Sequence, residues 1–215
     1  MNTLPSLCRP VLLFLALFLL CAPPAARAAS SPLEALATAQ KGIAGHDYAV
    51  LSQGVDVSSV LDNATDSLLA ELKRQMNEGN MVGDSTVTTL LLMLVDDDSG
   101  KGGMVRSLLR MEAENLLRTA VNAGYIDGKP DPSKAGNAGM FKSALKELGR
   151  SKKRLAPGKV LKEQDDSATV SASFVDSIEG IFPLELRMEK EQGQWRVKEI
   201  MNIRQLIEQA TAGMR

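Results

Sequence analysis

Four kinds of residue in this chain could do chemistry: one histidine, a triplet of aspartates, a short basic run, and one glutamate out of phase with its strand. His46 stands in Gly45-His-Asp-Tyr48, and with Asp47 beside it a general base is conceivable. Neighbours in a chain rarely face each other usefully, and the glycine marks a junction between helices. The favoured reading is a structural or solvated histidine. As the only histidine it excludes a multi-histidine zinc site. Asp96, Asp97 and Asp98 invite calcium, but an EF-hand loop needs glycine at its sixth place and glutamate at its twelfth, where Lys101 and Ser107 stand. A loop starting at Asp127 fails likewise, with Pro132 and Ala138. Both read as solvated acidic loops. Gly100-Lys-Gly-Gly103 lacks the spacing and preceding strand of a phosphate loop. Lys152, Lys153 and Arg154 could touch anionic lipid headgroups or glycans. Next to a proline turn, they read as a solvated connector. No residue is assigned a catalytic role, and no metal or cofactor is expected.

These groups depend on the elements that carry them, and the organising stretch runs from Ala168 to Asn202. Ala168–Val175, Ile181–Met188 and Trp195–Met201 alternate polar and apolar residues, with turn residues between them, which predicts an antiparallel meander. Val170, Ala172 and Phe174 share one face with Phe182, Leu184, Leu186, Met188, Trp195 and Val197. Thr169, Ser171, Glu185, Arg187, Arg196 and Lys198 take the other. The apolar face needs a cover. Pro183 lacks an N–H and predicts an edge or a bulge. After Val197 the phase slips and Glu199 falls on the apolar side, so the strand bulges there or Glu199 lines a pocket.

The cover comes from earlier in the chain. Ser31-Pro32 predicts a helix start, with Leu33, Leu36, Ala37, Gln40 and Ile43 as its stripe and Gly42 and Gly45 weakening its end. Asp47 caps a short helix closed by Gly54. Asp56 or Ser58 caps a longer one to about Asn77, with Glu71 on its polar side. Further helices are predicted over 85–95, 104–123 and 140–148, with an exposed connection over 125–139. Lys159–Lys162 reads as an edge strand, and residues 203–212 as a closing helix. Helices first and sheet second predicts an α+β fold: a helical bundle over 31–149 packed on one face of a curved, cone-like antiparallel sheet over 157–202, within one domain spanning 29–215.

Val11–Leu20 is a short apolar run followed by Ala26-Arg-Ala28, the pattern of a secretory signal over residues 1–28. The run is about half of the ~20 residues needed to cross a bilayer. The expected location is therefore periplasmic, with no transmembrane segment in the processed chain. Lipidation at Cys21 is disfavoured, because Leu20 precedes it where a small residue is usual. Cys8 and Cys21 both lie in the leader, so the processed chain has no thiol chemistry. Removing Arg9 and Arg27 from 25 basic residues leaves 23 against 26 acidic, a net charge of −3. That near balance argues against nucleic acid as a partner.

Ala168-Thr-Val, Pro183–Met188 and Gly193-Gln-Trp-Arg-Val197 together resemble the nuclear-transport-factor-2-like, cystatin-like α+β cone. Its curved sheet commonly closes on a Gly-x-Trp-x-Val strand. His46–Leu51 and Val55–Leu61 are similar to a bacterial exported family of unknown function. In size, export signal and element order the chain also resembles the periplasmic phospholipid carrier of the Mla pathway. The resemblance implies a fold more than an activity. The expected function is an exported, non-enzymatic binding or interaction module for an apolar small molecule or a protein. Its cleft would lie between helices and sheet, lined by Phe174, Leu186, Met188, Trp195, Val197 and Glu199. The alternatives are a periplasmic lipid carrier using that cleft, and a cone-fold enzyme with Glu199 and Asp47 as acid–base groups. Several methionines on inner faces suit either a plain core or an adaptable pocket.

Overall fold

The computed structural model describes residues 31–77, 101–136 and 142–206. The leader with its cysteines, the helix over 85–95, the acidic triplet at 96–98 and the closing helix beyond residue 206 lie outside them. The element order is α1 (Pro32–Ala44), α2 (Tyr48–Gly54), α3 (Val57–Asn77), α4 (Lys101–Asn122), a 3-10 turn at Pro132–Lys134, and α5 (Lys142–Leu148). Then come β1 (Lys153–Gln164), β2 (Ser167–Asp176), β3 (Gly180–Glu191) and β4 (Gln194–Ile200). The strands lie in sequence order in one open antiparallel sheet, so the fold is α+β.

The caps are those the sequence predicts. Ser31 Oγ accepts from Glu34 N at 3.2 Å, and Asp47 Oδ1 accepts from Val50 N at 3.1 Å. Asp56, not Ser58, caps α3 by accepting from Ser59 N at 3.1 Å. Each satisfies an N–H that the first helical turn cannot. The turn between β3 and β4 is Gln192-Gly193, both with positive φ (51° and 81°), the two-residue geometry that matches strand twist.

Alternation sets the sheet faces as predicted. Ala168, Val170, Ala172, Leu186, Met188, Trp195 and Val197 form one buried cluster with Ala35 and Leu36 of α1. A second cluster joins Ala39, Ile43, Leu51 and Val57 to Ala120, Val121 and Leu145 of the later helices and to Ile126 just after α4. Val55 and Leu155 pack against both. Fully burying one such aliphatic side chain contributes about 1.5–3 kcal/mol.

Several boundaries differ from expectation, each for a physical reason. The basic run is not a solvated connector: β1 starts at Lys153, whose side chain is buried. Pro157-Gly158 lies inside that strand at a register shift, not in a turn. Lys101–Gly103 is the first turn of α4, not loop. The connection over 125–139 is exposed only in part, because Ile126 and Asp127 are buried and Ile126 O accepts from Lys153 N at 2.8 Å. On α1, Ala37 is exposed, while Ala35 and Ala39 face the core. Glu71 is buried, held by Arg74 and by Arg204 from the helical turn at 203–206. Pro183 sits in β3, an interior strand. Its C=O accepts from Asn202 on the β4 side, beyond the last paired residues of β4. A strand residue's N–H and C=O point the same way, so the missing donor faces a locally free edge.

Gly42, expected to weaken a helix end, and Gly54, expected to close one, are packing contacts. A Cβ at Gly54 would lie 2.1 Å from Ala35 O, and one at Gly42 would lie 2.3 Å from Leu51 N. The two glycines let α1 and α2 touch backbone to backbone. Gly54→Ala is therefore expected to cost about 1–3 kcal/mol by overpacking. Gly103→Ala, which meets nothing within 4 Å, should be neutral or stabilising. Urea unfolding of both variants checks this.

Candidate functional site

The expected cleft residues are brought together, but as packed core. Leu186, Met188, Trp195 and Val197 are buried in the cluster whose other wall is Ala35 and Leu36. Phe174 is half-buried outside both clusters, paired across the sheet with Phe182 and Leu155. Glu199 is elsewhere. A bulge between Arg187 and Met188 of β3 opposes them to Glu199 and Val197, leaving Lys198 as the extra residue. That residue restores the phase: Ile200 returns to the core, and Glu199 turns to the outer face, where its Oε2 accepts from Arg187 Nε at 2.9 Å. Bulges re-aim side chains in this way.

Lys198, assigned by alternation to the wet face, is turned inward by the same bulge. Its Nζ donates to Asp56 Oδ2 at 2.7 Å and to Glu191 Oε1 at 2.5 Å. Burial would lower the Lys198 pKa and raise that of Asp56. The contacts outweigh it in both, so the lysine is raised and the aspartate lowered. With Asp56 N donating to Val197 O at 2.9 Å, this ties the start of α3 to the free side of β4.

A groove of about 480 Å³ opens between α5 and the hairpin joining β2 to β3. Ala144, Leu148 and Ile178 give it apolar walls, and Glu147, Arg150 and Glu179 a charged rim. Its floor is Ser151, Lys153 and Asp176. Lys153 Nζ donates to Ser151 Oγ at 2.6 Å, to Leu148 O at 2.7 Å, and lies 3.2 Å from Asp176 Oδ2. Ser151 Oγ donates to the same Asp176 oxygen at 2.8 Å. Asp176 Oδ1 accepts the N–H groups of Ile178 and Glu179, folding the turn. Burial would raise the Asp176 pKa. The two backbone donors, the hydroxyl and the ammonium outweigh it, holding the carboxyl far below its ordinary range. A serine beside a lysine is the pairing of some hydrolases, where a neutral amine takes the hydroxyl proton. Here Lys153 Nζ is engaged by Asp176, and the carboxylate takes the hydroxyl hydrogen itself. The floor is a structural lock.

His46 does not work with Asp47, which is engaged as the α2 cap. Its Nε2 lies 3.6 Å from Asp127 Oδ2. Asp127 is also approached by Lys129 at 3.1 Å and Lys152 at 3.6 Å. Burial alone would raise its pKa; the surrounding cations lower it. The loop at Asp127, expected to be solvated, instead holds a buried carboxylate flanked by Lys129, Lys152 and the His46 ring. Among the described residues, no group of three or more His, Cys, Asp or Glu could hold a metal ion, and no helix is long and apolar enough to cross a membrane.

Alternation from Leu155 puts Lys153 on the inner face, and aspartate is common where a hairpin turns. Those two signals were present in the sequence. The meeting of Ser151 with Asp176, 25 residues apart, was not. Compared with protein-family models, with curated proteins and with solved structures, the chain matches none.

Proposed function

We propose that this protein is an exported, non-enzymatic binding module whose ligand enters the groove between α5 and the β2–β3 hairpin, not the interface between α1 and the sheet. The groove itself carries the reading: its volume falls within the ~300–1,000 Å³ of small-molecule sites, with apolar walls and a few convergent polar groups. Such walls suit an amphipathic small molecule or the apolar side chain of a partner protein. The charges that meet in the described fold are bound to one another: Lys153 to Asp176, Lys198 to Asp56 and Glu191, Arg187 to Glu199. None of these stands ready as a base or nucleophile, which supports binding over catalysis. An open antiparallel sheet with helices on one face supports the cone resemblance at the level of fold class. A lipid carrier using the helix–sheet interface would have to part Ala35 and Leu36 from Trp195 and Met188. The leader pattern carries the periplasmic assignment.

The test is methyl NMR on the chain from Ala29 onward, which retains both core clusters, titrated with anilinonaphthalene sulfonate as an apolar anionic probe. The Ile178 and Leu148 methyls are expected to shift, and Ala144→Trp, which fills the groove, should abolish the shifts. Unmoved methyls in the wild-type chain, or binding unchanged in the tryptophan variant, would overturn the reading.

A further inference from the structure

We propose that the tip of the β2–β3 hairpin is a docking element for an anionic lipid surface. Ile178 in the turn and Ile181 at the start of β3 are 68% and 69% exposed, the most open large apolar side chains among the described residues. Val175 lies opposite Ile181 on the same outer face, and Pro183, also exposed, is two residues on. The apolar area stops there. The next cross-strand row is Ser171 and Glu185, and the row after it Thr169 and Arg187.

A convex tip with so small an apolar cap is poor for a protein interface, which ordinarily covers about 800 Å² on each partner. It suits shallow insertion between lipid headgroups, where apolar side chains sink a few ångströms and flanking cations meet phosphate.

The flank is basic. Lys152 runs beside the turn, its N donating to Ser177 Oγ and its O accepting from Ser177 N, both at 3.0 Å. Arg154 continues the row Ile181–Val175, is exposed, and has no ion-pair partner among the described residues. Arg150 lines the groove beside Ile178. The carboxylates nearby take up part of this charge: Glu147 pairs with Arg150, Asp127 with Lys129 and Lys152, and Asp176 with Lys153, so the surplus is Arg154 and one of the two lysines at Asp127. Glu179 at the tip is the exception and opposes docking.

This surface goes beyond the groove reading, and Ile181 does not line the groove. The test is co-sedimentation of the chain from Ala29 onward with phosphatidylcholine vesicles containing about one-third phosphatidylglycerol, against phosphatidylcholine alone. Sedimentation only with the anionic vesicles, released by high salt, is expected. Ile181→Asp should weaken it at least about tenfold by placing a charge at the insertion point. Glu179→Lys should strengthen it at least about fivefold, the equivalent of ~1 kcal/mol for the added lysine alone. Ala144→Trp should leave it intact, which keeps failure of the groove separate from failure of the tip. Both tip substitutions fall on exposed side chains, and circular dichroism confirms their fold. Equal binding to the two vesicle types, no binding to either, or full retention by Ile181→Asp would overturn the proposal.

Discussion

Asp176→Asn is expected to lower folding stability by about 3–5 kcal/mol, because it leaves the Lys153 ammonium buried without its counter-charge. The side chains are 10% and 5% exposed, so water screens little of the pair. Asparagine keeps an oxygen for the N–H groups of Ile178 and Glu179, so the loss isolates the charge, not the turn. Adding Lys153→Met should recover much of it, since removing both partners leaves nothing buried and unpaired. The pH dependence follows from the direction of the shift. A carboxyl whose folded pKa is depressed contributes stability that is complete above its unfolded value near 4, and the contribution is lost as pH falls toward the folded value. Asp56 and Asp127 add in the same sense. The wild-type chain should therefore weaken steadily below about pH 4. Asp176→Asn should show a shallower acid slope, measured by urea midpoints across pH 2.5 to 7 (roughly the span over which carboxyls titrate).

Trp195→Ala should cost about 3–5 kcal/mol, the range for deleting a buried aromatic side chain. Trp195 is among the largest fully buried side chains and belongs to the cluster that joins the sheet to α1. Trp195→Phe, which keeps a ring in that space, should cost distinctly less. If the two variants unfold at the same denaturant concentration by circular dichroism, the helix–sheet contact is not what closes the fold. As the only tryptophan, Trp195 also reports on itself: emission in the native wild type should be blue-shifted and should redden with the global transition.

How much of this was readable beforehand depends on the kind of signal. Period-two alternation over Ala168–Val197 identified the meander and its buried face, because one covered sheet side leaves that pattern directly in the residues. Caps were readable at Ser31 and Asp47, since an N-cap is a contact within three residues. Lys198 and Glu199 exchanged roles because a single inserted residue reverses every later assignment, and sequence shows the slip without showing which residue absorbs it. Gly42 was read as helix weakness and Gly54 as a helix stop, because a close backbone approach is visible only when both helices are placed. The groove beside α5 could not be read from the sequence for the same reason. Apolar strand residues announce burial, but they do not say whether the buried space is hollow. Lys153, Ser151 and Asp176 converge only after β1 and β2 pair, so their lock is a product of topology, not of any motif.

The strands follow one another in space as they do along the chain, yet their buried side is closed by α1, more than 120 residues before Ala168. A ribosome emitting this polypeptide releases the lid first and the surface it must seal last. Until Val197 has emerged, Ala35 and Leu36 of α1 have no complete sheet to cover, and only the cluster among the helices has all of its buried residues. Such an order of synthesis postpones the helix–sheet core, and with it the closed fold, until the last strand has been made.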